Sequence, residues 1–95
     1  MEIIFTKHII DKLRTKEAKI FKITKIKIKQ NINKPILVEE LNTGIIRSVS
    51  QLGKQYSLCV IYKIYKAGVK AITFFPAEKG RYESKILSPR RHITN

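Results

Sequence analysis

Acidic side chains are the clearest shortage in this sequence: seven Asp and Glu stand against twenty Lys and Arg. The resulting formal charge of +13 opposes compaction through self-repulsion, and polyanions are the usual partners that relieve it. Biased codon usage or life at high temperature would explain many lysines but not the missing acids, because thermophile surfaces gain Glu as well. The charge therefore predicts binding to a nucleic acid.

Cysteine and long apolar runs are also scarce. The single cysteine, Cys59, excludes an internal disulfide and lies in an apolar run, where it is expected to be a small buried side chain. No apolar stretch reaches the roughly 18 residues of a membrane-spanning helix, and the N-terminus lacks the apolar core and cleavage site of a signal peptide. We therefore expect a cytoplasmic protein with no membrane partner.

Motifs for common cofactors and metals are missing as well. The sequence contains no GxSxG elbow, no P-loop and no GxGxxG loop. Its two histidines and one cysteine lie far apart, without the spacing of metal ligands. We therefore predict neither a cofactor nor a metal site.

Two apolar runs joined at Gly68 are the most strongly patterned part of the chain. Side chains of residues 56–65 alternate as in a strand, and residues 69–75 are almost continuously apolar, as in a central strand. The turn Lys66-Ala67-Gly68 is expected to supply the positive φ of a tight hairpin. Pro76 has no N–H to donate, so the second strand is expected to end there.

The N-terminal third of the chain predicts two helices. Thr6 suits the N-cap of a first helix that runs to about Ala18. Thr24 suits the N-cap of a second, with Ile28 and Ile32 four residues apart on its buried side. The alternation of isoleucine and lysine in this second segment would also suit a solvent-facing strand, an outcome that would overturn the topology.

Residues 36–41 and 45–52 read as two further strands around the turn Asn42-Thr43-Gly44. The predicted fold is α+β, with two N-terminal helices packed on one face of a four-stranded antiparallel β-meander. One domain is expected over residues 1–87, followed by a flexible basic tail over residues 88–95.

The order of these motifs resembles a known group. Residues 5–8 open a helix as FTKH, residues 23–35 fit I-T/S-x-x-x-I/V-x-x-x-I/L-x-x-P, and residues 53–76 end in V-x-A-I-T-F-F-P. The chain is thus similar to a small domain-of-unknown-function family allied to the RelE/ParE and BrnT-type toxin superfamily. The resemblance implies a RelE-like fold and a toxin-type endoribonuclease. Its implied partners are RNA, the ribosome and an acidic antitoxin.

Such an enzyme needs no metal, because the RNA 2′-hydroxyl attacks the neighbouring phosphate with help from a base, an acid and cations. For these roles the chain offers His8 as a base, Tyr82 as an acid, and Arg47 and Arg81 as cations. Further cations are expected to bind the RNA: Lys12, Lys16, Lys54, Lys79, Lys85, Arg90 and Arg91.

Two other classes of function stay open at this point. A non-catalytic RNA- or DNA-binding module on the same fold would carry the same charge, and a basic interaction protein would use it to meet an acidic partner. His8 would equally suit a local hydrogen bond, and the Tyr82 ring would equally suit packing on the last strand. The sequence alone does not separate these functions.

Overall fold

The structure, a computed structural model, describes residues 2–80. These residues form a mixed five-stranded sheet with three short helices on one face. The strands lie in the order β1-β5-β4-β3-β2 across the sheet. In chain order the elements are β1 (Glu2–Phe5), α1 (Lys7–Lys12), α2 (Lys16–Ile20), α3 (Lys25–Asn33), β2 (Leu37–Asn42), β3 (Ile45–Leu52), β4 (Tyr56–Tyr65) and β5 (Gly68–Glu78).

This topology corrects the predicted one. Strands β2 to β5 do form an antiparallel meander, but β1 adds a fifth strand that is parallel to β5, with Glu2 opposite Gly68 and Phe5 opposite Ala71. The prediction of two helices on a four-stranded antiparallel meander, and the RelE-like fold stated in those terms, is therefore wrong. A four-residue strand whose partner lies sixty-six positions away leaves no local pattern in the sequence.

The predicted first helix is in fact two helices, and Thr15 divides them. The Thr15 hydroxyl donates to the carbonyl oxygen of Lys12 (2.7 Å) and accepts from the N–H of Ala18 (3.3 Å). One side chain therefore satisfies the end of α1 and caps the start of α2. Thr6 caps α1 as predicted, accepting from the N–H of Ile9.

The turn between α2 and α3 depends on a lysine in a left-handed conformation. Lys22 has φ of +56°, its N–H donates to Lys19, and the N–H of Ile23 donates to Ala18. These two bonds form a Schellman motif, which usually places glycine at the left-handed position. The turn redirects the chain so that α3 can pack on the sheet.

Gly68 and Pro76 do not have the predicted roles. Among the described glycines, positive φ occurs at Gly44, Gly53 and Gly80 but not at Gly68, which instead begins β5 beside β1. A Cβ at Gly68 would lie 2.0 Å from the carbonyl oxygen of Glu2. Strand β5 also continues through Pro76, because β1 pairs with residues 68–71 and leaves the later part of β5 at a sheet edge, where proline is tolerated.

The helical interpretation of residues 25–33 is confirmed. The Thr24 hydroxyl accepts from the N–H of Lys27 (3.3 Å), and Ile28 and Ile32 are buried against the sheet. The alternating isoleucines and lysines therefore do not form a strand. The isoleucines of this segment instead lie in two environments: Ile28 and Ile32 are buried, and Ile26 is exposed.

We expect Thr24→Ala to lower the free energy of unfolding by about 1 kcal/mol, because it removes the acceptor for an otherwise unpaired helical N–H. Urea denaturation followed by circular dichroism measures this loss. Thr43→Ala, at an exposed turn position, is the matched control. A loss at Thr24 no larger than at Thr43 would contradict the capping role.

The main core lies between the helices and the sheet. Ile9, Ala18 and Ile28 from the three helices meet Leu58, Val60, Val69 and Phe74 from the central strands. A smaller cluster of Val49, Cys59 and Ala77 occupies the opposite face of the sheet. Cys59 is buried there, as predicted. None of the helices in residues 2–80 has the length and apolar character needed to cross a bilayer.

Candidate nucleic-acid interface

Positive charge is concentrated in the helical layer. Residues 7–34 hold ten of the twenty Lys and Arg but two of the seven Asp and Glu. No acid lies between Glu17 and Glu39, and we call the six lysines of this stretch the basic helical surface: Lys19, Lys22, Lys25, Lys27, Lys29 and Lys34. Within residues 2–80 the ion pair found is Arg47 with Glu39, so none of these six lysines is neutralised by a described acid.

Helix α3 divides its lysines between two flanks. The ammonium groups of Lys25 and Lys29 lie 5.5 and 5.9 Å from the centre of the Phe5 ring. Both cations are attracted to the ring face, yet two like charges held at one ring repel each other. An anion bound between them would relieve that repulsion.

The other flank of α3 borders a groove of about 510 Å³. The half-buried Lys27 and the exposed Lys34 line it from the helix, and Ser50 and Gln51 line it from the end of β3. Gln30, which is exposed, and Asn31, which is buried, also line this space. The groove therefore combines cations with groups that can both donate and accept hydrogen bonds.

Asn31 is fully buried and ties α3 to the sheet. Its Nδ2 contacts Ser50 Oγ (2.8 Å), the Leu58 carbonyl oxygen (2.8 Å) and the Ser48 carbonyl oxygen (3.3 Å). Its Oδ1, by contrast, is buried without a hydrogen-bond partner in the described part of the chain. An unsatisfied buried acceptor of this kind costs about 1–3 kcal/mol, so a donor that reached it from the groove would be stabilising.

His8 and Lys12, two of the predicted site residues, are brought together at Thr73. The Thr73 hydroxyl oxygen lies 3.4 Å from His8 Nε2 and 3.2 Å from Lys12 Nζ. Lys12 also donates to the carbonyl oxygen of Phe74 and lies 5.1 Å from the centre of its ring. His8 is exposed, whereas Lys12 is half-buried and held by these contacts.

Arg47 is not brought to this cluster. It lies opposite Ile61 on β4, and Ile61 lies opposite Thr73 on β5, so one strand separates Arg47 from Thr73. Two strand spacings place their backbones about 10 Å apart. The Arg47 guanidinium binds the carboxylate of Glu39, which lies directly across from it on β2.

The predicted RNA-binding residues are spread over the molecule. Lys54 lies in the turn after β3, and Lys79 donates its N–H to Gln55 of the same turn, so both reach the end of the sheet that carries the groove. Lys16 is exposed at the start of α2. Arg81, Tyr82, Lys85, Arg90 and Arg91 lie outside the described residues, as does the predicted boundary at residue 87.

Two tyrosines have altered acidity. Burial raises the pKa of Tyr62. For Tyr65, desolvation, a hydrogen bond to the Glu2 carboxylate and the charge of that carboxylate all raise the pKa of the hydroxyl. Neither of these hydroxyls is therefore suited to act as a base near neutral pH. In residues 2–80 no three His, Cys, Asp or Glu side chains come together as a metal site would require.

The groove and Asn31 were missed by the sequence prediction. Asn31 shares the buried face of α3 with Ile28 and Ile32. An amide at an apolar-face position is the signal that would have singled it out, because a buried polar group needs partners. The groove itself has no sequence signal, since it depends on where α3 meets the end of β3.

Comparison with known proteins assigns no family to this arrangement: no protein-family model, curated protein or solved structure significantly matches the chain.

Proposed function

We propose that this protein binds single-stranded RNA through its basic helical surface. The observation that carries the proposal is the acid-free stretch of six lysines between Glu17 and Glu39, none of them paired with a described acid. Phosphate contacts by lysine supply most of the affinity in non-specific nucleic-acid binding. RNA as the ligand is consistent with the cytoplasmic location that we propose for the protein.

Single strands suit this surface better than duplexes for a specific reason. Lys27 and Lys34 line a groove that also holds the side chains of Gln30 and Gln51, and amides can contact the edges of unpaired bases that a duplex would hide. An acidic protein would satisfy the lysines but would make no comparable use of the exposed amides of Gln30 and Gln51. The neighbouring amides therefore favour RNA over a purely acidic partner.

Affinity for a labelled single-stranded RNA should fall steeply as salt rises. Each neutralised phosphate contributes about −0.7 to the slope of log K against log salt, so three to six contacts give a slope of about −2 to −4. Fluorescence anisotropy between 50 and 200 mM salt would measure it. A polyglutamate peptide of similar charge is the comparison ligand. A flat salt dependence, or tighter binding to polyglutamate, would overturn the proposal in favour of an acidic protein partner.

A second candidate, the toxin-type endoribonuclease, is favoured by the cluster at Thr73. There His8 could act as a base for the RNA 2′-hydroxyl, and the neighbouring Lys12 ammonium could stabilise negative charge on the phosphate. The ribosome and an acidic antitoxin would then be the partners. The roles of Arg81 and Tyr82 in this reaction stay predictions.

We expect His8→Gln to lower RNA cleavage at least tenfold, about 1.4 kcal/mol of transition-state stabilisation, with little change in melting temperature, because His8 is exposed. Gel analysis of labelled RNA, with and without ribosomes, measures the rate. His92→Gln, which changes the other histidine of the chain, is the matched control. If the unaltered protein cleaves no RNA under either condition, this second candidate is excluded and the binding function stands alone.

A further inference from the structure

We propose that the groove between α3 and the end of β3 is a binding site for a single nucleotide of the RNA, so that the protein reads a base as well as the phosphate backbone. This inference rests on the proposed RNA-binding function and specifies how that surface engages its ligand. It assigns the base to the amide-lined part of the groove. It assigns the phosphate to the lysines at its border.

The buried amide of Asn31 supports the base contact. Its nitrogen already contacts three acceptors, two on β3 and one on β4. Its oxygen is buried without a partner beside the groove, so a base that enters by a small displacement of the lining residues would supply the missing N–H donor. The edges of nucleobases present N–H donors that fit this acceptor, whereas a phosphate group at neutral pH presents mainly acceptors.

Charge and size support the rest of the nucleotide. Lys27 and Lys34 line the same groove, and no described acid pairs with either. Lys54 follows Gly53, which also lines the groove, and adds a third cation nearby. A volume of about 510 Å³ falls within the range of roughly 300–1,000 Å³ that holds small ligands. The groove therefore has room for one nucleotide.

Titration of the ¹⁵N-labelled protein with the four ribonucleoside 5′-monophosphates tests the site directly. We expect the side-chain amide signals of Asn31 and Gln30 and the backbone signal of Gly53 to shift on addition of at least one nucleotide. Ribose 5-phosphate, which lacks the base, should bind at least fivefold more weakly and leave the Asn31 amide unshifted. Equal binding of ribose 5-phosphate would overturn the base contact and leave a simple phosphate site.

Paired variants distinguish the groove from the rest of the basic helical surface. Lys27→Gln with Lys34→Gln should weaken mononucleotide binding at least fivefold. Lys25→Gln with Lys29→Gln removes the same charge from the other flank of α3 and should weaken RNA binding, while the nucleotide still shifts the Asn31 and Gly53 signals of the groove. If both pairs affect mononucleotides equally, the groove is not the site.

The two proposals fail in different ways. Retained binding of long RNA without any mononucleotide effect at Asn31 would overturn the groove inference and leave RNA binding intact. Mononucleotide binding at the groove without binding of long RNA would overturn the proposed function and leave a nucleotide-binding protein. Each result is read from the same labelled sample, whose spectrum also reports whether the variants are folded.

Discussion

Replacing Lys25, Lys27 and Lys29 together with glutamine is expected to weaken binding of single-stranded RNA about a hundredfold at 0.1 M salt. At that concentration each single-stranded phosphate contact is worth roughly a factor of five, and the three contributions multiply when the contacts are independent. All three residues lie on one helix without an acid, so no internal ion pair compensates for their loss. The salt slope should become less negative by about 2.

A second triple variant separates local contact from overall charge. Lys63 lies on β4, Lys66 in the following turn and Lys70 on β5; all three are exposed, and none belongs to the basic helical surface. Their replacement with glutamine lowers the net charge by the same amount. Anisotropy titrations of both variants under identical conditions make the comparison. Equal losses would mean that the protein attracts RNA through its net charge alone, without a defined surface on α3.

Gly68→Ala is expected to lower the free energy of unfolding by about 3 kcal/mol. The new Cβ would meet the carbonyl oxygen of Glu2 at 2.0 Å and its nitrogen at 2.7 Å, well inside normal contact distances. Overpacking of this kind typically costs about 1–3 kcal/mol, and here the obstructing atoms are backbone that cannot rotate away. Strand β1 must therefore move, and Ile3 and Phe5 would lose their packing on the core.

Gly53→Ala provides the matched control for this prediction. Gly53 has φ of +78°, and no other atom lies within 4 Å of the place that a Cβ would occupy. Alanine there meets conformational strain of about 1–2 kcal/mol but no collision. Urea denaturation of the two variants compares the cost of backbone strain at Gly53 with the cost of the steric clash at Gly68. A loss at Gly68 that does not exceed the loss at Gly53 would show that β1 does not approach β5 as closely as described.

Local sequence features predicted the elements whose stabilising contacts are also local. The Thr24 cap and the spacing of Ile28 and Ile32 identified α3, and the turn residues near Gly44 identified the β2–β3 hairpin. Strand β1 could not be predicted in this way, because its partner is distant and its four residues show no complete pattern. The break at Thr15 was missed because a threonine within a helical pattern gives the same signal whether it caps or merely continues the helix.

Only the positive charge of the candidate site could be predicted from the sequence. Composition identified an excess of cations, but the places where those cations meet other groups depend on tertiary structure. Arg47 was predicted to be a catalytic cation from its residue type alone. The register of β2 against β3 instead places the Glu39 carboxylate opposite it. Asn31 acquires its partners from β3 and β4, which lie seventeen to twenty-seven positions further along the chain. No pattern within α3 encodes that contact.

The parallel pairing of β1 with β5 also limits when the sheet can be completed during translation. Residues are added during translation at about 5–20 per second, so Glu2 is made roughly 3–13 seconds before Gly68, its partner. Throughout that interval the first strand lacks its native partner, and the apolar sides of α1 and α3 lack β5 and its Phe74. Completion of the sheet therefore waits for the synthesis of β5. The lysine-rich helices are made well before it, while the nascent chain is still beside ribosomal RNA.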